Sequence, residues 1–430
     1  MSKPLKVAIA GLGTVGAGTL KMIRENGELL TLRCGRPISV VAVSARDRQR
    51  DRGVPLEGMT WYDDPVRMAR EAEVDAVIEL IGGSESPARE VCEAAIGAGR
   101  HLITANKALL AHHGTALARE AERRGVALCY EAAVAGGIPI IKALREGLAG
   151  NRINRVYGIV NGTCNYILTT MRQTGRGFDD VLAEAQSLGY AEADPSFDID
   201  GIDTAHKLSI LASVAFGTPV AFGDVFVEGI RHVSAMDIAF AEELGYRIKL
   251  LGIASLTANG VEQRVHPCMV PLSAAIARVD GVFNAVVAEG DFVGRSVYEG
   301  RGAGAGATAS AVVADILDIA SGRFGPTFGL PAGSMRSLPS SPIALRRGAY
   351  YIRLMVVDRP GVFADVATTL SDEKVSMESI LQRRRDPGEC VPVVMTVHDT
   401  DEAAMERALG RIARLGAVVE PPRRIRIEAL

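Results

Sequence analysis

Residues 189–207, Gly-Tyr-Ala-Glu-Ala-Asp-Pro-Ser-Phe-Asp-Ile-Asp-Gly-Ile-Asp-Thr-Ala-His-Lys, hold the densest run of acid–base groups in the chain. Asp203 and Lys207 stand four apart, so on a helix they share a face. The apolar run that follows, Leu208-Ser209-Ile210-Leu211, would bury that helix. A lysine held beside carboxylates in a cleft can protonate a carbonyl oxygen while hydride reaches the carbon. The carboxylates can hold a substrate ammonium group. A plain Asp–Lys helix pair after an Asx- and Pro-rich loop fits the same spacing. His206 points off the Asp203–Lys207 face and reads as structural.

A second set of residues suits a phosphate. Val7-Ala8-Ile9-Ala10 runs into Gly11-Leu12-Gly13-Thr14-Val15-Gly16, a G-x-G-x-x-G between a strand-like and a helix-like stretch. Gly11 permits the tight turn, Gly13 lets a pyrophosphate approach the backbone, and Gly16 lets helix and strand pack closely. The helix N-terminus adds free N–H donors and a favourable dipole. The second strand ends Val43-Ser44-Ala45-Arg46, then Asp47-Arg48. An acid at that tip would favour NAD. None stands there, and Arg46 or Arg48 could pair a 2′-phosphate. The expected cofactor is NADP, with Asp47 keeping NAD open. The residues expected to hold it are Gly11, Leu12, Gly13, Thr14, Val15, Gly16, Ala45 and Arg46.

The elements that must position these groups follow from the pattern. Apolar runs at 7–10, 38–43, 76–81, 101–104 and 126–129 alternate with helix-like segments such as 86–97 and 107–124. That alternation predicts an α/β, Rossmann-type doubly wound parallel sheet. The runs are continuous, as in strands buried on both faces. The middle region reads as an α+β catalytic and dimerisation domain, with helices at 178–188 and 203–216. Residues 325–347 hold Pro326, Pro331, Pro339 and Pro342, a linker composition. After it, strand and helix signals run βαββαβ, the ferredoxin-like plan. Strands are expected at 351–357, 375–384, 390–398 and 418–427, with a turn at Asp386-Pro387-Gly388. The expected division is 1–138, 139–325, a linker at 326–347, and 348–430.

Bulk composition narrows the classes. The 430 residues allow two or three domains. A net charge of −3 gives no argument for nucleic acid or an acidic membrane surface. No apolar stretch reaches the roughly 18 residues a membrane span needs. No secretory signal is readable at the start. Cys34, Cys92, Cys129, Cys164, Cys268 and Cys390 are scattered without a C-x-x-C pair, so neither a disulfide framework nor zinc is expected. A reducing, cytoplasmic setting is the simplest reading.

Several runs, taken together and in this order, resemble homoserine dehydrogenases. They are Thr104-Ala105-Asn106-Lys107, Glu131-Ala132-Ala133-Val134-Ala135-Gly136-Gly137-Ile138-Pro139, Asn161-Gly162-Thr163-Cys164-Asn165-Tyr166-Ile167-Leu168, the 189–207 stretch, and Gly302-Ala303-Gly304. The resemblance extends to about residue 322, and the remainder is similar to an ACT domain. It implies reversible NAD(P)H-dependent reduction of L-aspartate 4-semialdehyde to L-homoserine, toward threonine and methionine. By position, Lys207 resembles the proton donor. Glu192 and Asp203 match substrate-binding acids, Asp198 supports them, and Lys107 matches a lysine near nicotinamide and substrate. Gly189 and Gly304 match backbone positions beside the cofactor. The resemblance also implies a monovalent cation, commonly sodium, on Glu131 and the carbonyls of Val134, Gly136 and Ile138. Oxygen donors suit such an ion. A glycine-bearing connection without an ion is the alternative.

Cys164 invites a thiol-nucleophile reading. That chemistry needs an activated thiolate with a base nearby, and no histidine is adjacent in sequence, so Cys164 is assigned to packing. The turn Asp358-Arg359-Pro360-Gly361 looks like the ligand-side loop of ACT domains. Amino-acid binding there, with threonine as effector, and a homo-oligomer are the expectations. A dimerisation module without ligand, or a non-catalytic sensor built from the same two domains, are the rivals. The set Glu192, Asp203 and Lys207 argues against the sensor.

Overall fold

The computed structural model describes residues 3–383 and 388–430. The first sheet holds six parallel strands: β1 (Leu5–Ala10), β2 (Ile38–Ser44), β3 (Thr60–Tyr62), β4 (Ala76–Glu79), β5 (His101–Thr104) and β6 (Leu128–Cys129). Their spatial order is β3-β2-β1-β4-β5-β6. Strand order reverses between β1 and β4, which is where ligands bind in open α/β sheets. The expected doubly wound sheet is therefore present. Sequence reading passed over β3 and the helices Gly27–Cys34 and Pro65–Glu71. A three-residue strand and helices of two turns leave too short a periodic signal.

The second sheet is mixed. Its strands are β7 (Ile153–Ile159), β8 (Phe226–Val227), β9 (Tyr246–Thr257), β10 (Gly260–Pro271), β11 (Phe283–Gly290), β12 (Gly294–Arg301), β13 (Arg347–Val357), β14 (Met377–Leu381), β15 (Cys390–Asp401) and β16 (Arg423–Ile427). The order is β12-β11-β7-β9-β10-β16-β13-β15-β14, with β8 beside β10. The last four strands are the expected βαββαβ unit, with helices Val362–Asp372 and Glu402–Ile412. The strand expected at 418–427 begins only at Arg423, because Pro421 and Pro422 have no N–H to give a ladder. The expected turn at Asp386-Pro387-Gly388 and the run Arg383-Arg384-Arg385 lie largely outside the described residues.

This C-terminal unit does not hang free. β16 pairs with β10 through Cys268↔Arg426 and Met269↔Ile427, so one sheet runs through both regions. One face of the unit packs its own helices around Tyr350, Ile352, Leu354 and Met405. The other face gives Tyr351, Val394, Ile425 and Ile427 to the core that contains Ile238, Phe240 and Ile248. Buried charges seal the seam. Glu428 accepts from Arg264 at 2.7 Å and from Arg346 at 2.9 Å. Asp237 accepts from Arg353 at 2.7 Å and from the Tyr351 hydroxyl at 3.0 Å. Buried charges are tolerated when paired and hydrogen-bonded in this way.

Two further segments return to the first sheet. Helix Ala305–Ser321 buries Val312, Ile316 and Ile319 among Val7, Ile9 and Ile78. The proline-rich segment beyond it is tied down as well: the Tyr130 hydroxyl donates to Thr327 O at 2.9 Å, and Phe328 is buried against the Tyr130 ring. No helix among the described residues is long and apolar enough to cross a membrane.

Candidate active site

Helix Ile202–Phe216 carries both Asp203 and Lys207, as their spacing required. Gly201 caps its start at φ +87°, a left-handed conformation that favours glycine. That turn drops Asp203 into the first helical turn, where it is buried. Lys207 Nζ donates to Asp203 Oδ2 at 2.8 Å and to the Val160 carbonyl at 2.7 Å. Lys107 Nζ pairs with Asp203 Oδ1 at 2.8 Å from the opposite side. One carboxylate thus stands between two lysines that are 100 positions apart in sequence.

Asn161 completes the clamp. It is the N-cap of helix Gly162–Thr174, where its Oδ1 accepts from Cys164 N. Its Nδ2 donates to Asp203 Oδ2 and to Asp198 Oδ1, both at 2.8 Å. The resulting cavity, about 440 Å³, is lined by Lys107, Asn161, Asp198, Asp203 and Lys207 on one side. Gly189, Asn284, Arg301 and Gly304 line the rest. Glu192 is exposed and does not line it, although its charge is near enough to help raise the Lys107 pKa.

Electrostatics separate the two lysines. Burial pushes the Lys207 ammonium below its usual value, and Lys107 adds to the effect against the pull of Asp203. Burial also works against charge on Lys107, but Asp203, with Asp198 and Glu192, outweighs it and raises that pKa. Burial alone would raise Asp203; Lys207 and Lys107 overcome it and hold the carboxyl well below the usual carboxylate range. Asp198 is raised, first by burial and then by the Asp203 charge. A lysine with a lowered pKa beside a carboxylate that stays ionised is an acid–base arrangement.

The neighbours expected to be structural are so placed. Cys164 is buried, burial pushes its thiol up, and its Sγ lies 3.3 Å from Asp198 O. His206 packs 4.3 Å from the Phe222 ring and is pushed down to about 4 by burial.

The glycine loop lies at a second cavity, about 370 Å³, lined by Gly11, Leu12, Gly13, Ala45, Arg46, Arg50 and Arg52 among others. A Cβ on Gly11 would meet Leu80 O at 2.5 Å, and one on Gly16 would collide with Gly11 O. A Cβ on Gly13 would meet nothing, so the backbone there is open to a ligand. Thr14 and Val15 start helix Thr14–Glu25 but are not among the lining residues. Arg52, which sequence reading missed, laces the loop through Leu12 O at 3.2 Å and Arg50 O at 2.7 Å.

The stretch expected to hold a cation takes a defined shape. The Glu131 carboxylate accepts from Ile141 N and Lys142 N, both at 2.9 Å. Its oxygens are therefore already engaged by backbone. Gly136, at φ +38°, lies so close to Gly302 O that a Cβ would stand 2.5 Å from it. Gly137 N donates to Arg301 O at 2.9 Å, so this loop supports the 301–304 segment of the cavity. The Ile138 carbonyl accepts from Ile140 N at 2.7 Å. The buried carbonyls of Val134 and Gly136 accept no hydrogen bond from the described residues, which leaves both lone pairs of each open to another partner.

Asn161 had a readable signal, an Asn directly before a helix-like run. Asn284 and Arg301 sit on β11 and β12, far from any local motif, and only the tertiary fold brings them in.

Comparison with known proteins adds to this geometry. Residues 139–317 match the homoserine dehydrogenase family, residues 11–131 match the homoserine dehydrogenase NAD binding domain, and residues 350–417 match the ACT domain. The chain is 46% identical to a homoserine dehydrogenase of Pseudomonas aeruginosa, each covered in full. It is 44% identical to one of Neisseria gonorrhoeae, covering 100% of this chain and 99% of that one. A crystal structure of a homoserine dehydrogenase from Thiobacillus denitrificans superposes with a TM-score of 0.94 at 47% identity, covering 99% of this chain and 98% of that one. A hyperthermophilic archaeal homoserine dehydrogenase in complex with NADPH matches with a TM-score of 0.65 at 27% identity, covering 75% and 99%.

Proposed function

The chain belongs to the homoserine dehydrogenase family, NAD(P)-dependent oxidoreductases, here with a C-terminal ACT domain, and from that premise we propose which residues do the work. The reaction is reduction of L-aspartate 4-semialdehyde to L-homoserine. The observation that carries the assignment is Asp203 held between Lys107 and Lys207 at the wall of the cavity.

Bound at the glycine loop, a nicotinamide dinucleotide supplies the hydride. Lys207 gives the proton to the aldehyde oxygen. Two of its three N–H bonds are spent on Asp203 and Val160, which leaves the third for substrate. Asp198 offers the carboxylate oxygen that Asn161 does not hold to the substrate ammonium, and exposed Glu192, outside the lining, adds negative charge near Lys107. Lys107 fixes Asp203 and borders both substrate and cofactor. Gly189 and Gly304 line the cavity that holds Lys207, and their backbone would flank the nicotinamide end of a bound cofactor. In the reverse direction Lys207 must first be neutral. Its lowered pKa brings the rise of homoserine oxidation below the roughly 10.4 of a free lysine. Residues 1–138 serve the dinucleotide, 139–325 the substrate, and 348–430 regulation, joined by 326–347.

NADP is the proposed preference. Its support is Arg46, Arg50 and Arg52 on the wall of one cavity and the end of β2 on Ser44 rather than an acid; Asp47, on the same wall, is what keeps NAD open. Sodium is proposed at Glu131 and the carbonyls of Val134, Gly136 and Ile138, with the Glu131 carboxylate also holding the loop through Ile141 N and Lys142 N. A homo-oligomer, an amino-acid effector at the turn Asp358-Arg359-Pro360-Gly361, with threonine as the first candidate, and a cytoplasmic setting belong to the same reading.

An absorbance assay at the nicotinamide band tests the roles. Lys207→Ala should lose about 10²- to 10⁴-fold in turnover with cofactor KM little changed; preserved turnover would reassign the acid, with Lys107 next. In the same assay Arg46→Ala should raise KM for NADPH about tenfold and leave NADH nearly unmoved, as loss of a charge-assisted hydrogen bond would. An unchanged ratio removes Arg46 from cofactor choice. Calorimetry of the full chain with threonine, and separately with sodium, tests the two further ligands. Threonine heat that survives in Asp358→Ala would move the effector off that turn. A monomeric mass by light scattering under assay conditions would dismiss the oligomer.

A further inference from the structure

β4 ends on Glu79, which is fully buried. No lysine or arginine among the described residues forms a salt bridge with it, so neutral donors hold the carboxylate. Its Oε1 accepts from Ile81 N at 2.7 Å and Gly82 N at 3.1 Å. Its Oε2 accepts from the Thr104 hydroxyl at 2.6 Å. A buried acid is costly to keep and costly to strip of its donors. Burial raises its pKa, and the donors pull the other way. Glu79 stands at the switch point of the sheet, where β4 lies beside the end of β1.

The two sides it joins are the two halves of the reaction. On one side, residues 80–83 turn through Gly82 at φ +87° and Gly83 at φ +85°. Leu80 and Ile81 in this loop line the dinucleotide cavity. On the other side, Thr104 ends β5, and its hydroxyl oxygen accepts from Asn106 N at 3.0 Å. Asn106 caps helix Lys107–Arg124 through Leu109 N at 3.0 Å. Its Nδ2 reaches back to Gly83 O at 2.6 Å, a second strut across the same gap. The next residue is Lys107, paired with Asp203.

We propose that Glu79, acting through Thr104, is a positioning residue: it braces the cofactor loop at 80–83 against the turn that carries Lys107 and so sets substrate site and cofactor at their working distance. The inference rests on the reading that Lys107 works in the active site. Glu79 touches neither substrate nor cofactor in this role. It acts by fixing geometry, and small displacements of a reacting pair are expensive in rate.

Thr104→Val removes the hydroxyl and keeps the shape. Turnover should fall tenfold or more while KM for the semialdehyde changes little. In a Lys107→Ala background the same substitution should cost less than about twofold, because the brace then has nothing to position. Glu79→Gln can keep its oxygen on the Ile81 and Gly82 N–H groups and donate its amide to Thr104. It should recover most of the turnover that Glu79→Ala loses, with thermal melting used to confirm folding. Equal losses from Thr104→Val in both backgrounds, or unchanged turnover with only a lowered melting temperature, would overturn the proposal. So would Glu79→Gln no better than Glu79→Ala. Full turnover in Lys107→Ala alone would sink both this inference and the reading beneath it, whereas equal losses sink this inference only.

Discussion

The site depends on a single buried carboxylate holding two lysines. Asp203 has lost most of its solvent, which by itself is strongly unfavourable for a charge. Lys107, Lys207 and the Asn161 amide replace that solvent at 2.8 Å each. Removing any one would leave the others imperfectly paired in a medium where unpaired charge is costly. The consequence is chemical as well as structural. Asp203 stays ionised, so it steadies Lys207 without competing for its proton. Lys207, buried, is held less firmly protonated than a surface lysine.

The fold delivers these groups by starting helices at one place. Helices Lys107–Arg124, Gly162–Thr174, Ile202–Phe216 and Ala305–Ser321 all begin at the cavity: Lys107, Asn161, Gly162, Asp203 and Gly304 are lining residues at or beside their first turns. Helix N-termini carry partial positive charge and free N–H groups, which favour the carboxylates gathered there. The first sheet contributes the Lys107 helix and the second sheet carries the Asp203 helix against β9 and β10. Gly252 on β9 allows this close packing, since a Cβ there would stand 3.1 Å from Thr204. The same second sheet continues into the C-terminal unit through β16, so the ACT domain and the catalytic region share a ladder.

Much of this was legible from local pattern. The 11–16 glycines, the helix 107–124 and the four-residue step from Asp203 to Lys207 each carry their signal within a few residues, and the structure has them. The βαββαβ order at the end was equally readable. Pairings between distant segments were not. Nothing near Lys107 in sequence announces Asp203, and Asn284 and Arg301 reach the cavity from strands whose own pattern says only sheet. The seam of Arg264, Arg346 and Glu428 was also hidden, because a charged residue in a strand normally reads as exposed. The hydrogen bonds from Ile141 N and Lys142 N to the Glu131 carboxylate were likewise not readable from sequence, because they depend on how the chain turns after Pro139.

Asp203 sustains the charge on Lys207 while burial works against it. The pH dependence of kcat for homoserine oxidation, wild type against Asp203→Asn, reads this most directly. With the carboxylate gone, Lys207 keeps its burial and its lysine neighbour but loses its counter-charge. Its neutral form should then appear at lower pH, so the rise in residual turnover should move toward acid. A rise that stays in place, or moves toward alkali, would mean that Asp203 is not what keeps Lys207 charged.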